Sequence, residues 1–204
     1  MKLYFARHGE SEANVQRIFW NQPEGYGLTD KGRAQAKALA DALAGIQFAA
    51  LYCSPVLRAV QTAQIVGRRL GLAPVVADGL REWNTGILEG QGYSKETEGL
   101  HWWATEQWMV YDNHDARIQG GESCNDIKAR FMPLIDRLEA RYRNTEANVL
   151  LISHGGTLRA MLPLLVSNLD NASVLHHPFS YATPIVVELR DGEWVCLRWG
   201  EDVL

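Results

Sequence analysis

A chain of 204 residues, 47% apolar and 22% charged, is long enough to bury one sizeable core, and no repeat, low-complexity tract or Pro/Gly/Ser-rich linker divides it, so residues 1–204 are expected to form a single domain. A formal charge of -4 with no Lys/Arg block removes any electrostatic case for nucleic acid or an anionic membrane surface as a partner. Cys53, Cys124 and Cys196 are odd in number and widely spaced, which points to reduced thiols; with no signal-peptide core and no bilayer-length apolar run, a cytoplasmic location is expected.

Lys2 to Ala6 is a short apolar run that delivers Arg7 and His8 into Gly9. Such a run marks a strand buried on both faces, and in open α/β sheets ligands gather beyond the carboxyl ends of these strands. Glu10 to Tyr26 has no clean period and is broken by Pro23 and Gly25, so it reads as a loop with room for one helical turn. Thr29 is placed as the N-cap of a helix with Leu39 and Leu43 on its apolar face and Gly45 at its stop. Ala49 to Tyr52 is a buried strand ending in Cys53-Ser54-Pro55, and Pro55 opens a helix that runs to about Leu70. Arg58 then falls in the first turn, where free N–H groups and the positive helix end favour an anion.

Pro74 to Ala77 is a third strand, followed by Gly79-Leu80-Arg81-Glu82-Trp83. Residues from about 94 to 119 form an aromatic-rich insertion holding His101, Trp102, Trp103, Trp108, Met109 and Tyr111, either as helical core packing or as a lid facing a substrate. An exposed aromatic patch there would also support a homodimer. Gly120-Gly121-Glu122-Ser123 leads into a long helix carrying Ile127, Phe131, Leu134, Ile135 and Leu138, with Pro133 as a kink or near its start. Val149 to Ile152 is the strongest strand; it ends in Ser153-His154-Gly155-Gly156 before a helix from Thr157 to Val166. Thr183 to Leu189 and Trp194 to Trp199 close the chain around an Asp191-Gly192 turn. The alternation implies an α/β fold, a three-layer α/β/α sandwich with a mostly parallel central sheet and an antiparallel edge strand.

Strand ends thus carry Arg7-His8, Arg58 and His154. A phosphoryl group in transfer spreads negative charge over its oxygens, and guanidinium forks such as Arg7 and Arg58 stabilise it in place of a metal. A neutral histidine can attack phosphorus to form a phosphohistidine, while a second histidine stays cationic among the phosphate oxygens. A carboxyl group must protonate the departing alkoxide and later take a proton from water.

Arg7-His8-Gly9-Glu10-Ser11 resembles the signature of the histidine phosphatase superfamily, the phosphoglycerate mutase-like fold. Ser54-Pro55-Val56-Leu57-Arg58-Ala59 is similar to the family's second arginine motif, and Leu80-Arg81-Glu82 with Glu89-Gly90 resembles the segment bearing its proton donor. Gly120-Gly121-Glu122-Ser123 and Ser153-His154-Gly155-Gly156 resemble the last two motifs, in the expected order. The resemblance implies His8 as the phosphorylated nucleophile, Arg7, Arg58 and His154 as the phosphate pocket, and Glu82 as acid and base. Asn14 and the Gly155 N–H become auxiliary phosphate contacts. The implied activity is a metal-independent phosphomonoesterase, without cofactor, acting on a small phosphorylated metabolite.

Mutase-type phosphoryl transfer is the alternative, but Arg81-Glu82-Trp83-Asn84 differs from the Asn-Glu-Arg-His-Tyr-Gly segment of cofactor-dependent mutases. A non-catalytic phosphate-binding module would lack the nucleophile or the donor, and both His8 and Glu82 are present. His176-His177 lacks companions at ligand spacing, so no metal is expected. Where relatives carry a Gly-rich turn, this chain has Phe19-Trp20-Asn21-Gln22-Pro23. Phe19, Trp20 and Gln22, with Trp102 and Trp103, are the expected specificity residues.

Overall fold

The apolar runs pair into one mixed sheet in the computed structural model, which describes residues 1–175, 177, 179–200 and 202–203. Its strands are β1 (Lys2–Arg7), β2 (Phe48–Cys53), β3 (Pro74–Val76), β4 (Asn148–Ser153), β5 (Pro184–Arg190), β6 (Glu193–Trp199) and β7 (Asp202–Val203). The order is β3-β2-β4-β1-β5-β6-β7. From β3 to β1 every pairing is parallel, and from β1 to β7 every pairing is antiparallel. The antiparallel part read as an edge strand therefore spans three strands. His176 and Pro178 lie outside the described residues.

Alternation along the central strands divides the interior into two cores. Leu3 and Phe5 of β1 and Val149 and Leu151 of β4 face one side; Ala6, Leu150 and Ile152 face the other. The second side is covered by α2 (Asp30–Ala42) and α3 (Leu57–Leu70), through Leu39, Ala59, Ala63 and Val66. The first side carries α4 (Lys95–Met109), α5 (Cys124–Tyr142) and α6 (Gly155–Leu165), and Phe131 of α5 stacks on Phe5 with centroids 6.0 Å apart. Burying each such ring contributes about 1.5–3 kcal/mol. The α/β/α layering follows directly from this period-two pattern.

Local signals hold with small shifts of boundary. The Thr29 hydroxyl accepts the Gly32 N–H at 3.0 Å and caps α2, which ends at Ala42, short of Gly45. Pro55 stands just outside α3; Val56 is the N-cap, its N–H bonded to Ser54 Oγ at 3.2 Å. Arg58 remains in the first turn. Pro133 lies inside α5 rather than near its start. The segment after β1 contains one short helix, α1 (Glu12–Val15). Cys53, Cys124 and Cys196 are free and buried, and no described helix is long and apolar enough to cross a membrane.

Strand register brings the polar ends together. Arg7 pairs with Ser153 and Cys53 with Ile152, so the residues leaving β1, β2 and β4 emerge side by side. The His8 N–H bonds the Ser153 carbonyl and the Ser54 N–H bonds the Ile152 carbonyl, each at 3.0 Å. The loop after His8 then lies directly on α2: a Cβ on Gly9 would sit 2.4 Å from the Gly32 carbonyl oxygen, and one on Gly32 would sit 1.9 Å from that of Glu10. Only a glycine-on-glycine contact permits this approach.

Candidate active site

Arg58 is the hub of the cluster at the strand ends. Its Nε donates to His8 Nε2 at 2.9 Å, Nη1 to the Trp20 carbonyl at 2.6 Å, and Nη2 to Asn21 Oδ1 and His154 Nδ1, both at 3.3 Å. Thr62, one turn along α3, accepts the Gly9 N–H at 3.1 Å and donates to the Arg58 carbonyl at 2.7 Å. The His8-Gly9 loop and α3 are thereby locked together. Burial pulls the Arg58 pKa down to about 10, which still leaves a cation at neutral pH.

These contacts fix both tautomers, because a guanidinium only donates. His8 Nε2 must carry a lone pair toward Arg58, so Nδ1 carries the proton and donates to the Gly9 carbonyl at 2.7 Å. His154 Nδ1 is likewise an acceptor, and its Nε2–H donates to Ser54 Oγ at 2.7 Å. Burial, reinforced by the charges of Arg58 and Arg7, holds His8 well below the ordinary histidine value. The same causes, with His8 as a further neighbour, depress His154. In place of the cationic second histidine expected from the sequence, burial beside two guanidiniums favours a neutral His154.

Arg7 crosses the floor of the site. Its Nη1 donates to the Phe179 carbonyl at 3.0 Å and its guanidinium lies 3.9 Å from the Tyr181 ring centroid. Arg7 Nε is the one buried side-chain polar atom among the described residues without a partner. An orphaned donor costs about 1–3 kcal/mol unless something satisfies it, and an anion oxygen is the matching group. Asn14 Oδ1 is tied to the Ser11 N–H and hydroxyl at 3.0 and 2.8 Å, which leaves its amide N–H donors for the cavity it lines. Gly155, at the start of α6, lines the same cavity beside Arg7.

Glu82 sits across the first turn of α6. Oε1 accepts the Thr157 N–H at 2.7 Å, the Thr157 hydroxyl at 2.9 Å and the Trp83 N–H at 3.0 Å; Oε2 accepts the Gly156 N–H at 3.0 Å. A Cβ on Gly156 would stand 2.8 Å from Glu82 Oε1, so the glycine keeps this seat open. The segment is braced from behind by Glu122, which accepts the Asn84 N–H at 2.8 Å and pairs with Arg81 and Arg130 at 3.0 Å each. Burial alone would raise the Glu122 pKa, but Arg130, the Asn84 N–H and Arg81 hold it below the ordinary value.

A cavity of about 230 Å³ joins these groups. Arg7, His8, Asn14, Arg58, Glu82 and Gly155 line it, whereas His154 lies behind the wall, fully buried against Arg58. Phe19, Trp20 and Trp102 line it as well; Gln22 and Trp103 do not. Trp102 and Trp103 are successive residues on α4, about 100° apart around the helix, and of the two Trp102 is on the cavity side. Trp108 and Met109 line it while also packing in the core.

The sequence profile described as histidine phosphatase superfamily (branch 1) matches residues 3–202. The chain belongs to that superfamily. A curated relative, the 2,3-bisphosphoglycerate-dependent phosphoglycerate mutase of Brucella canis, is 31% identical over 195 residues, covering 92% of each chain. A mycobacterial glucosyl-3-phosphoglycerate phosphatase solved with VO3 is 27% identical, with a TM-score of 0.85 over 98% of this chain and 99% of that one. The α-ribazole phosphatase of Shigella flexneri is 24% identical with a TM-score of 0.76 over 100% and 96%, a likeness of fold. This chain is therefore an enzyme of the histidine phosphatase superfamily.

Sequence reasoning singled out the superfamily motifs but not Asn21, Tyr93, His101 or Arg159, all at the cavity. Asn21 Nδ2 donates to the Trp83 carbonyl at 3.0 Å and to Glu89 Oε1 at 2.9 Å, clamping the loop to the Glu82 segment. Burial lowers the pKa of His101, which stacks on Phe19 with centroids 5.3 Å apart. The depressed histidines have a consequence for stability. Below the unfolded value of 6.5 the unfolded chain takes up protons that native His8 and His154 refuse, so stability is full above about pH 6.5 and is lost as pH falls toward the lowered native values. The slope is up to about 1.4 kcal/mol per pH unit per histidine. Melting temperatures should fall from pH 7 to 5, before the carboxylates titrate; a flat profile would contradict the neutral tautomers.

Proposed function

We propose that this enzyme is a metal-independent phosphomonoesterase that hydrolyses a small phosphorylated metabolite through a phosphohistidine on His8. The observation that carries the reading is the His8 tautomer: an Nε2 lone pair, fixed by the Nδ1–H bond to Gly9, between two arginines and in the same cavity as a carboxylate. His8 Nε2 attacks phosphorus while the P–O bond to the alcohol breaks, and Glu82 in its acid form protonates the leaving alkoxide. Water then attacks phospho-His8, gives its proton to Glu82, and releases phosphate with the Nε2 lone pair restored. Arg7 and Arg58 hold the equatorial oxygens throughout, each donor contributing a factor of about 10²–10³. Three unpaired, buried thiols agree with action in a reducing cytoplasm.

Transfer between 2- and 3-phosphoglycerate is the second reading, favoured by the name of the Brucella relative. Against it, Arg81 is tied to Asp78 and Glu122 and does not line the cavity, while the wall next to Glu82 is the indole of Trp83. A mutase must hold its phosphorylated intermediate away from water while product reorients. Phosphate release and isomerisation are measured in parallel on phosphoglycerates and on a panel of phosphorylated metabolites. The expected result is net phosphate release; efficient isomerisation with negligible hydrolysis would replace the phosphatase reading.

A further inference from the structure

Beyond the phosphate subsite, the cavity holds one more cation whose purpose the hydrolysis mechanism leaves unexplained. Arg159 lines it, four residues after Gly155 on α6. Residues at this spacing share one helix face, about one 5.4 Å turn apart. Its guanidinium is firmly placed: Nη1 donates to the Val174 carbonyl at 2.7 Å and to the Leu175 carbonyl, Nη2 donates to the His177 carbonyl at 3.3 Å, and the group lies 4.9 Å from the Phe179 ring centroid. Phe179 also supplies the carbonyl that holds Arg7, so one segment orients both cations.

All of those anchors are neutral carbonyls. Among the described residues no carboxylate lies within ion-pair distance of Arg159; burial and the charge of Arg7 lower its pKa, and the Glu82 carboxylate across the cavity offsets part of that. A guanidinium has five N–H donors, and three of them are taken by acceptors among the described residues. The Nε–H and one Nη2–H remain, the kind of adjacent pair that takes two oxygens of a carboxylate or phosphate.

We propose that Arg159 is the specificity-determining cation of the leaving-group side, taking a second anionic group, a carboxylate or a second phosphate, carried on the alcohol about one helical turn from the phosphorus. The inference rests on the phosphatase reading of the cavity and narrows its substrate to monoesters of anionic alcohols. The surrounding Phe19, Trp83, Tyr93 and Trp108 then pack against the carbon skeleton between the two charges.

Matched compounds test it as competitors of p-nitrophenyl phosphate. 3-Phosphoglycerate and glycerol 3-phosphate differ at the far carbon by a carboxylate against a hydroxymethyl group; propane-1,3-diyl bisphosphate and its monophosphate make the same comparison for a second phosphate. The wild-type enzyme should hold at least one anionic member about tenfold more tightly than its neutral counterpart. Arg159→Gln should bring that ratio to within about twofold of one, and Arg159→Lys should restore part of it. Because the readout is a ratio, a general loss from loosening α6 divides out. A preference in the first pair assigns the carboxylate and in the second the phosphate, and either supports the proposal. Wild-type ratios near one, or ratios that survive Arg159→Gln, overturn it, and the wild-type measurement decides the matter if the variants fail to fold. If p-nitrophenyl phosphate is not hydrolysed, the phosphatase reading has failed, and the same ratios are taken from calorimetric binding.

Discussion

Replacement of His8 by alanine should lower phosphate release by a factor on the order of 10⁴ or more, equivalent to about 5.5 kcal/mol of transition-state stabilisation. Acid-labile phosphate should vanish from the protein in quenched turnover. Binding of inorganic phosphate should survive within about tenfold, because Arg7, Arg58, Asn14 and the α6 terminus are untouched and the residue removed is a neutral imidazole. That split between binding and turnover separates a nucleophile from a mere ligand. Hydrolysis that persists in His8→Ala would sink the phosphohistidine route.

The second large effect concerns Glu82. Glu82→Gln should cost alkyl phosphates a factor of about 10²–10⁴, whereas p-nitrophenyl phosphate, whose phenolate departs unaided, should lose about tenfold or less in the first step. The amide must turn an N–H toward the Gly156 or Thr157 N–H, where the carboxylate now accepts, so a small loss of melting temperature is expected alongside. Equal losses on both substrates would move the proton transfer to another group. Tyr93 and His101 are further titratable side chains at the cavity, and burial lowers the pKa of His101.

The machinery was legible in the sequence to the extent that it lies at the ends of apolar runs. Arg7, His8 and His154 leave strands whose period is unmistakable, and Arg58 follows a strand by one turn of helix, so the α/β alternation alone brings them to one edge. Residues whose placement depends on how loops close were not legible. Asn21 reaches Arg58 only because Glu89, 68 positions away, accepts its backbone and side-chain N–H groups. Arg159 reads in the sequence as an ordinary polar position of an apolar helix, and its placement at the cavity depends on contacts with Val174, Leu175, His177 and Phe179. Trp20 shows a different limit. The motif departure there suggested a bulky side chain facing substrate, yet the indole also donates to the Glu24 carbonyl at 2.6 Å, and the contact with Arg58 comes from its backbone carbonyl. A side chain was singled out where part of the work falls to a peptide oxygen.

In the proposed mechanism the 2.9 Å contact from Arg58 Nε to His8 Nε2 makes His8 a masked nucleophile. Its lone pair is occupied by an N–H, so an uncharged electrophile arriving in the cavity finds no free nitrogen to alkylate or acylate. A phosphoryl group is different, because its oxygens compete for the guanidinium and draw the N–H away as the phosphorus draws near. The histidine is thus released to react only by reagents that bring negative charge with them, and chemical selectivity begins before any feature of the leaving alcohol is read.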